Sequence, residues 1–190
     1  MDGILVTNEI IDYAKRYRKD YFMFKVDFSQ AYDCVDWNYL RSILRKVGFG
    51  IRWMKWLEAW VFSSSMSVLE NGSPTQDFMV SRELRQGDPL SPFLFALAAE
   101  GLTRIMNQAV LNGVFTRFSL GNNISFSLLQ FADDTIIVGN ASWCNLWTLK
   151  SILHGFKMMS GLSINMSKSK VYGVGIETPF LNATSKFLSC

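Results

Sequence analysis

Three aspartates stand where the sequence predicts that strands end. Asp27 follows the apolar and aromatic run YFMFKV, which is typical of a buried strand, and Asp133 and Asp134 lie between two β-prone runs in FSLLQFADDTIIV. Aspartates at strand ends and in turns are commonly solvated, so neither position alone indicates a site. If the two strands are neighbours in one sheet, the three carboxylates converge, and like charges so close together require cations between them.

Such a set of acids favours phosphoryl transfer assisted by two metal ions. Hard oxygen ligands with little further protein cage suit Mg²⁺, because this ion keeps several waters and takes other ligands from substrate phosphates. Two ions about 3.5–4 Å apart can activate an attacking hydroxyl and hold the leaving oxygen. We therefore expect two Mg²⁺ ions as cofactors, with Mn²⁺ as a substitute. An unrelated metal-dependent phosphotransferase fits the same acids.

The elements that must position these acids mix helices and strands without strict alternation. Apolar periodicity predicts helices over 4–17, 29–47, 51–62, 90–110 and 143–160, strands over 21–28 and 171–174, and hairpins over 67–80 and 126–138. This order predicts an α+β fold, a small antiparallel sheet covered by helices on one face. No Pro/Gly-rich linker divides residues 1–190, so we expect one domain.

A row of tryptophans marks the third predicted helix. Trp53, Trp56 and Trp60 stand three and four residues apart, with Leu57 beside them. Such a row can stack on nucleic-acid bases, but at this spacing it is more often part of the core. We expect these side chains to be buried.

Composition excludes several classes of protein. The chain has 190 residues, 49% hydrophobic and 18% charged, which is a globular composition, and its net charge of +3 permits a polyanionic partner without requiring one. Three widely spaced cysteines and one histidine argue against a zinc site or a disulfide framework. No signal peptide or membrane span is apparent, so we expect an intracellular protein with no membrane partner.

Four blocks of sequence resemble the conserved motifs of reverse transcriptases, in the order of that family. VDFSQAYDCVDW resembles motif A, RQGDPLSPFLF motif B, FADDT motif C and GLSINMSKSK motif D. Motifs B and C together resemble the enzymes of non-LTR (LINE-type) retrotransposons, notably those of plants. The resemblance implies a polymerase palm and an RNA-directed DNA polymerase, which extends a primer 3′-hydroxyl with deoxynucleotides along an RNA template.

The resemblance also implies roles for the acids and for one lysine. Asp27 and Asp133 would be metal ligands, and Asp134 would complete the catalytic triad. The main-chain carbonyl of Phe28 would face a metal. Lys168 would lie near the triphosphate, where it could neutralise charge or protonate pyrophosphate; a solvated surface lysine is the alternative.

Motifs A and B imply a nucleotide-binding site. Tyr32 would lie under the sugar of the incoming nucleotide and exclude a 2′-hydroxyl; a core tyrosine is the alternative. Gln86 would touch the nascent base pair, and Gly87 would allow close backbone approach before a helix whose N-terminus faces phosphate or template. Arg85 would bind nucleic-acid phosphate or pair with a neighbouring acid, two readings that remain open. Asp33 and Asp36 are expected to be helix caps or helix-surface groups rather than metal ligands.

The chain departs from the family pattern at two places. Glu83 stands where the family usually has glycine, and it would be strained if that position needs a positive φ. The fingers and thumb of the family would lie outside residues 1–190 and are expected partners, together with the RNA template, the DNA primer and deoxynucleoside triphosphates. We expect little activity from this partial palm alone, and a nuclear location from the family's role. The alternative is a decayed, non-catalytic remnant that only binds nucleic acid.

Overall fold

The computed structural model describes residues 2–17, 19–29, 32–63, 65–120, 124–131 and 134–190, except for the side chains of 2–7, 14, 120, 131 and 134. In chain order the elements are α1 (Asp2–Arg16), β1 (Tyr21–Val26), β2 (Phe28–Ser29), α2 (Trp37–Val47), α3 (Ile51–Trp60), β3 (Ser65–Met66), β4 (Leu69–Glu70), β5 (Ser73–Pro74), β6 (Phe78–Met79), α4 (Ser91–Leu111), β7 (Phe118–Leu120), β8 (Ile124–Phe126), β9 (Leu128–Phe131), β10 (Asp134–Asn140), α5 (Trp143–Ser160), β11 (Ser163–Ile164), β12 (Lys170–Val174) and α6 (Thr178–Leu188).

A four-stranded antiparallel sheet in the order β12-β1-β10-β9 organises these elements. The central pair is β1 and β10, in register from Tyr21 opposite Asn140 to Val26 opposite Thr135. The α+β class with a small antiparallel sheet is therefore confirmed.

Strand β1 is buried on both faces, as its almost uninterrupted apolar sequence predicts. Phe22, Phe24 and Val26 are fully buried in a core that α2, α4 and α5 also line. Tyr21 and Met23 point to a second, smaller cluster that includes Ile10 of α1 and Phe118 of β7. The main helical layer lies on one face, as expected, but α1 and β7 also cover part of the other.

Helix α2 begins eight residues later than the predicted start of its helical run. Asp36 caps it by accepting a hydrogen bond of 2.9 Å from the Tyr39 N–H. The chain before it is not helical because its carbonyls accept tertiary hydrogen bonds. The Tyr32 carbonyl accepts the Leu84 N–H at 2.7 Å, and the Val35 carbonyl accepts the Glu83 N–H at 3.2 Å. The cap predicted at Asp36 is confirmed. The helix predicted from Ser29 is wrong at Ser29 and over 32–36, while residues 30 and 31 lie outside the described part of the chain.

The prediction of a buried tryptophan row on α3 is also wrong. Trp53, Trp56 and Trp60 are 55%, 42% and 67% exposed, and of the row only Leu57 is buried. Helix α3 contacts the body of the protein through a narrow face beside the row, where Arg41 of α2 holds Glu58 at 2.7 Å. Helical spacing shows that side chains share a face, but it does not show whether another element covers that face.

The Asn71-Gly72 turn and the α5 helix match their predictions. Asn71 and Gly72 have φ values of 51° and 83° and join β4 to β5, as a tight turn requires.

No helix in the described part of the chain is both long and apolar enough to cross a membrane. Helix α6 and the small β2–β11 and β7–β8 pairs were not predicted.

Candidate active site

Asp27 stands at the end of β1, and its main chain is held from both sides by one loop. The Asp27 N–H donates to the Ser169 hydroxyl at 3.1 Å, and its carbonyl accepts the Asn165 N–H at 2.7 Å. Ser169 is only 2% exposed, and its hydroxyl donates to the Asn165 carbonyl at 2.8 Å. The loop between β11 and β12 therefore fixes the backbone from which the Asp27 carboxylate projects.

The sheet register brings the start of β10 to the same end. Val26 is opposite Thr135, so Asp27 and Asp134 each lie one residue beyond this pair, on neighbouring strands. Strands β9 and β10 pair through Phe131 and Asp134, which leaves residues 132 and 133 as the connection between them. The predicted hairpin is thus present. Asp133 itself lies outside the described residues, as does the side chain of Asp134, so the meeting of the three carboxylates stays a prediction.

Lys168 belongs to the loop that holds Asp27. Strand β11 pairs with β2, with Ile164 opposite Phe28, and Asn165 then closes the turn. The Asn165 side-chain oxygen accepts the Lys168 N–H at 3.2 Å, and the Lys168 side chain is exposed. Lys168 is therefore next in sequence to the serine that bonds Asp27, although it is not buried.

The other predicted nucleotide-binding residues gather in a cleft. Tyr32, Arg85, Gln86 and Gly87 line an open space of about 390 Å³ together with the start of α4. Gly87 has a φ of 87°, and an added Cβ would meet nothing within 4 Å. The glycine is therefore required by its backbone conformation, while the space above it is left open on the cleft side.

Phe95 of α4 links the cleft to the sheet end. Its ring centroid lies 6.0 Å from that of Phe28 and 5.3 Å from that of Tyr32. Tyr32 is half-buried, so it packs on the core and lines the cleft at once. The two readings of this tyrosine are compatible. Phe28 and Tyr32 of motif A therefore both pack against the same residue of α4.

The N-terminus of α4 offers fewer hydrogen-bond donors than the sequence suggested. The Leu90 N–H donates to the Asp88 carboxylate at 2.8 Å, and the Ser91 N–H donates to the Asp88 carbonyl at 3.1 Å. Pro92 has no N–H. The carboxylate and carbonyl of Asp88 accept these amides and its charge is negative, so fewer N–H groups of this helix end are left for an anion. The expected contact with phosphate or template stays a prediction.

Glu83 has the positive φ that the motif comparison predicted, at 102°. Its N–H donates to Val35 at 3.2 Å, and its carbonyl accepts the Trp37 indole N–H at 2.8 Å. These bonds hold the residue in a conformation that glycine adopts without cost. The strain expected for glutamate at this position is present.

Sequence reasoning missed several residues that position the site. Ser169, Phe95 and Trp37 hold Asp27, Tyr32 and Glu83 respectively. The type and spacing of these three residues do not separate them from ordinary core or turn residues. Among the residues whose side chains are described, which exclude Asp133 and Asp134, no group of three His, Cys, Asp or Glu could hold a metal ion.

Two solved structures share the fold of this chain. A telomerase from Candida albicans, solved with a fragment of telomeric RNA, matches with a TM-score of 0.64 over 92% of this chain and 31% of that chain, at 14% identity. A telomerase from Candida tropicalis matches equally well, with a TM-score of 0.64 at 13% identity. At such low identity these matches show a shared fold, that of a palm.

The chain belongs to the reverse transcriptase (RNA-dependent DNA polymerase) family, whose model matches residues 2–184. A Pol polyprotein of the type-1 retrotransposable element R2 of Popillia japonica is 27% identical over 89% of this chain. The R2DM polyprotein of Drosophila melanogaster is 22% identical over 91%. These relatives confirm the non-LTR assignment. An uncharacterised mitochondrial protein of Arabidopsis thaliana is 34% identical over 55% of this chain and 86% of its own length.

The chain spans only a small part of the retrotransposon relatives. It covers 24% of the Popillia polyprotein and 16% of the Drosophila one. Reverse transcriptases generally use divalent metal ions. Membership of the family therefore shows the fold and the class of chemistry of this chain, but not the activity of the whole protein.

Proposed function

We propose that this chain is the palm of an RNA-directed DNA polymerase of a non-LTR retrotransposon. It adds deoxynucleotides to a primer 3′-hydroxyl, with Asp27, Asp133 and Asp134 as ligands of two Mg²⁺ ions that Mn²⁺ can replace. The observation that supports the proposal most directly is the β1–β10 register, which sets Asp27 beside the start of β10 at Asp134. Bound there, two divalent ions would activate the hydroxyl and hold the leaving oxygen.

The donor set fits such ions. Carboxylate oxygens are the hard ligands that Mg²⁺ prefers, and a main-chain carbonyl at Phe28 would add one of the same kind. The main chain of Asp27 is held by Ser169 and Asn165, so its carboxylate starts from a fixed position. A fixed ligand costs little reorganisation when charge develops in the transition state.

The remaining residues have roles around this centre. Tyr32 lies under the sugar of the nucleotide and excludes a 2′-hydroxyl. Gln86 contacts the new base pair, Gly87 allows close approach of the main chain, and Arg85 contacts the nucleic-acid backbone. These residues line one cleft, which supports a shared substrate. Lys168 neutralises the triphosphate from the loop beside Asp27. The RNA template, the DNA primer and the fingers and thumb of the longer polypeptide complete the assembly, which acts in the nucleus.

The isolated chain is expected to have little polymerase activity. Holding a primer terminus in line with the nucleotide accounts for many orders of magnitude in rate, and the palm alone has few groups to do so. A second candidate function is that of a non-catalytic remnant that still binds nucleic acid. The strained Glu83 favours it, because an enzyme under selection would be expected to keep glycine there.

Primer extension by the polypeptide that carries this palm tests the assignment. Asp27→Asn should reduce deoxynucleotide incorporation on a primed RNA by about a hundredfold or more, because it removes a charged metal ligand. The control Asp33→Asn changes an exposed acid six residues away and should leave the rate within about twofold. Full activity of Asp27→Asn would reject the site. A parent polypeptide that binds an RNA–DNA hybrid but incorporates no nucleotide would support the remnant instead.

A further inference from the structure

Helix α3 presents an aromatic face that no described element covers. Trp53, Trp56 and Trp60 lie along one side of the helix, over an axial distance of about 10 Å. All three are more than a third exposed. A row of large apolar rings left in water marks a binding surface more often than an ordinary solvated one.

The surroundings of these rings are basic. The Arg52 guanidinium lies 5.1 Å from the Trp56 ring centroid, and the Trp53 and Trp56 rings are 5.1 Å apart, edge to face. At 100° per residue, Lys55 and Glu58 lie on the opposite side of α3 from the tryptophans. Arg41 holds Glu58 there through two hydrogen bonds, at 2.7 and 2.9 Å. The cation that lies against the aromatic face is therefore Arg52.

The tryptophan face continues into the candidate nucleotide site. Trp60 and Ser63 form one wall of an open cleft of about 750 Å³, whose other wall includes Arg85, Asp88 and Pro89. Arg85 and Pro89 also line the cleft of Tyr32 and the motif B residues. A flexible chain that leaves the nucleotide cleft past Arg85 would meet Trp60 first and then the other two rings.

We propose that α3 is a stacking platform for single-stranded nucleic acid, which in the proposed polymerase is the unpaired template strand next to the copying site. Aromatic rings interleaved with cations fit a strand that carries both bases and phosphates. A purely apolar protein partner would not use Arg52 beside Trp56 or Arg85 in the adjoining cleft. That the bound strand is the template rests on the proposed function. That α3 binds single-stranded nucleic acid does not.

Binding of a labelled 12-nucleotide single-stranded RNA to the 190-residue chain, followed by fluorescence anisotropy, tests the platform. Trp60→Leu keeps an apolar side chain but removes the ring, and it should weaken binding by about fivefold or more. Trp56→Leu should act in the same way. Trp147→Leu is the matched control, because Trp147 is 60% exposed on α5 and away from the cleft; it should leave affinity unchanged. If Trp60→Leu does not fold, Trp53→Leu at the far end of the row replaces it.

Several outcomes would overturn the platform. Unchanged affinity in the α3 variants, or an equal loss in Trp147→Leu, would show that these rings do not bind the RNA. The chain could instead bind the purified thumb or fingers polypeptide more tightly than it binds the RNA. If that binding were lost in Trp60→Arg but kept in Trp60→Leu, the face would belong to a protein partner. Asp27→Asn separates the two proposals: in the parent polypeptide it should reduce primer extension by about a hundredfold, while in the 190-residue chain it should leave the affinity for the 12-nucleotide RNA within about twofold. Normal RNA binding by the tryptophan variants, with loss of extension in Asp27→Asn, would reject the platform alone.

Discussion

Glu83 shows at the scale of one residue how the chain holds an unfavourable conformation. Its φ of 102° costs a residue with a Cβ roughly 1–3 kcal/mol, and glycine little. Two tertiary hydrogen bonds, to Val35 and from Trp37, keep the main chain in place. The strain is therefore a property of the site's scaffold and is present before any substrate binds.

Replacing this glutamate should stabilise the protein. Glu83→Gly should raise the free energy of unfolding by about 1 kcal/mol, because relief of the positive φ exceeds the added entropy of glycine in the unfolded chain. Urea unfolding followed by circular dichroism measures the change. Arg82→Gly, at a neighbour without a positive φ, should instead destabilise by about 0.5–1 kcal/mol. A loss of stability in Glu83→Gly would contradict this account of the strain.

Residue types predicted some of the site and not the rest. Asp27 could be predicted because a charge ends an otherwise apolar run, and Glu83 because it departs from a motif. Ser169 could not, since nothing in the SKSK stretch distinguishes it from Ser167 before the fold buries one and exposes the other. Its role depends on contacts between positions 142 residues apart.

Among the elements, the end of α5 packs against motif A and fixes the position of the loop that carries Tyr32. Helix α5 ends at Gly161 with a φ of 78°, and the Ser160 carbonyl accepts the Asp36 N–H at 2.8 Å. A Cβ at Gly161 would overlap the main-chain carbonyl of Cys34. The end of one helix therefore fixes the start of α2 and the loop that carries Tyr32.

A single methyl group should break this junction. Gly161→Ala should lower the free energy of unfolding by about 2 kcal/mol or more, because it adds both a positive-φ penalty and a clash with backbone. Gly155→Ala on the same helix is the control: its Cβ would meet nothing within 4 Å, so it should stabilise by about 0.5–1 kcal/mol. Thermal unfolding of both variants gives the comparison. Equal stability of the two would show that the junction is not tight.

Elements with complete local signals were predicted best. Helix α5 runs from Trp143 to Ser160, as predicted, because Ser142 caps its start and Gly161 ends it. The start of α2 was missed because tertiary bonds from Leu84 and Glu83 compete with helix formation. The α3 tryptophans were misassigned because burial depends on whether a neighbouring element covers them, which their spacing does not record.

In the molecule as a whole, one sheet joins distant parts of the chain. Strands β1, β10 and β12 come from three separate regions, and their pairing places motifs A, C and D at one sheet end. Helix α4 adds motif B through Phe95. The cleft of Tyr32 and the cleft of Trp60 share Arg85 and Pro89, so α3 borders the same open surface.

Cleavage of the chain by bound iron tests most directly whether Asp27 and the acids at 133–134 share metal ions. Fe²⁺ that replaces Mg²⁺ at a shared site, with ascorbate and peroxide, produces radicals that cut the nearby main chain. We expect cuts at residues 27–28, 133–134 and 165–168 together, suppressed by excess Mg²⁺ and by Asp27→Asn but not by Asp33→Asn. Cuts confined to one of these segments, or unchanged in Asp27→Asn, would contradict the claim that Asp27 and the acidic hairpin hold metal ions in common.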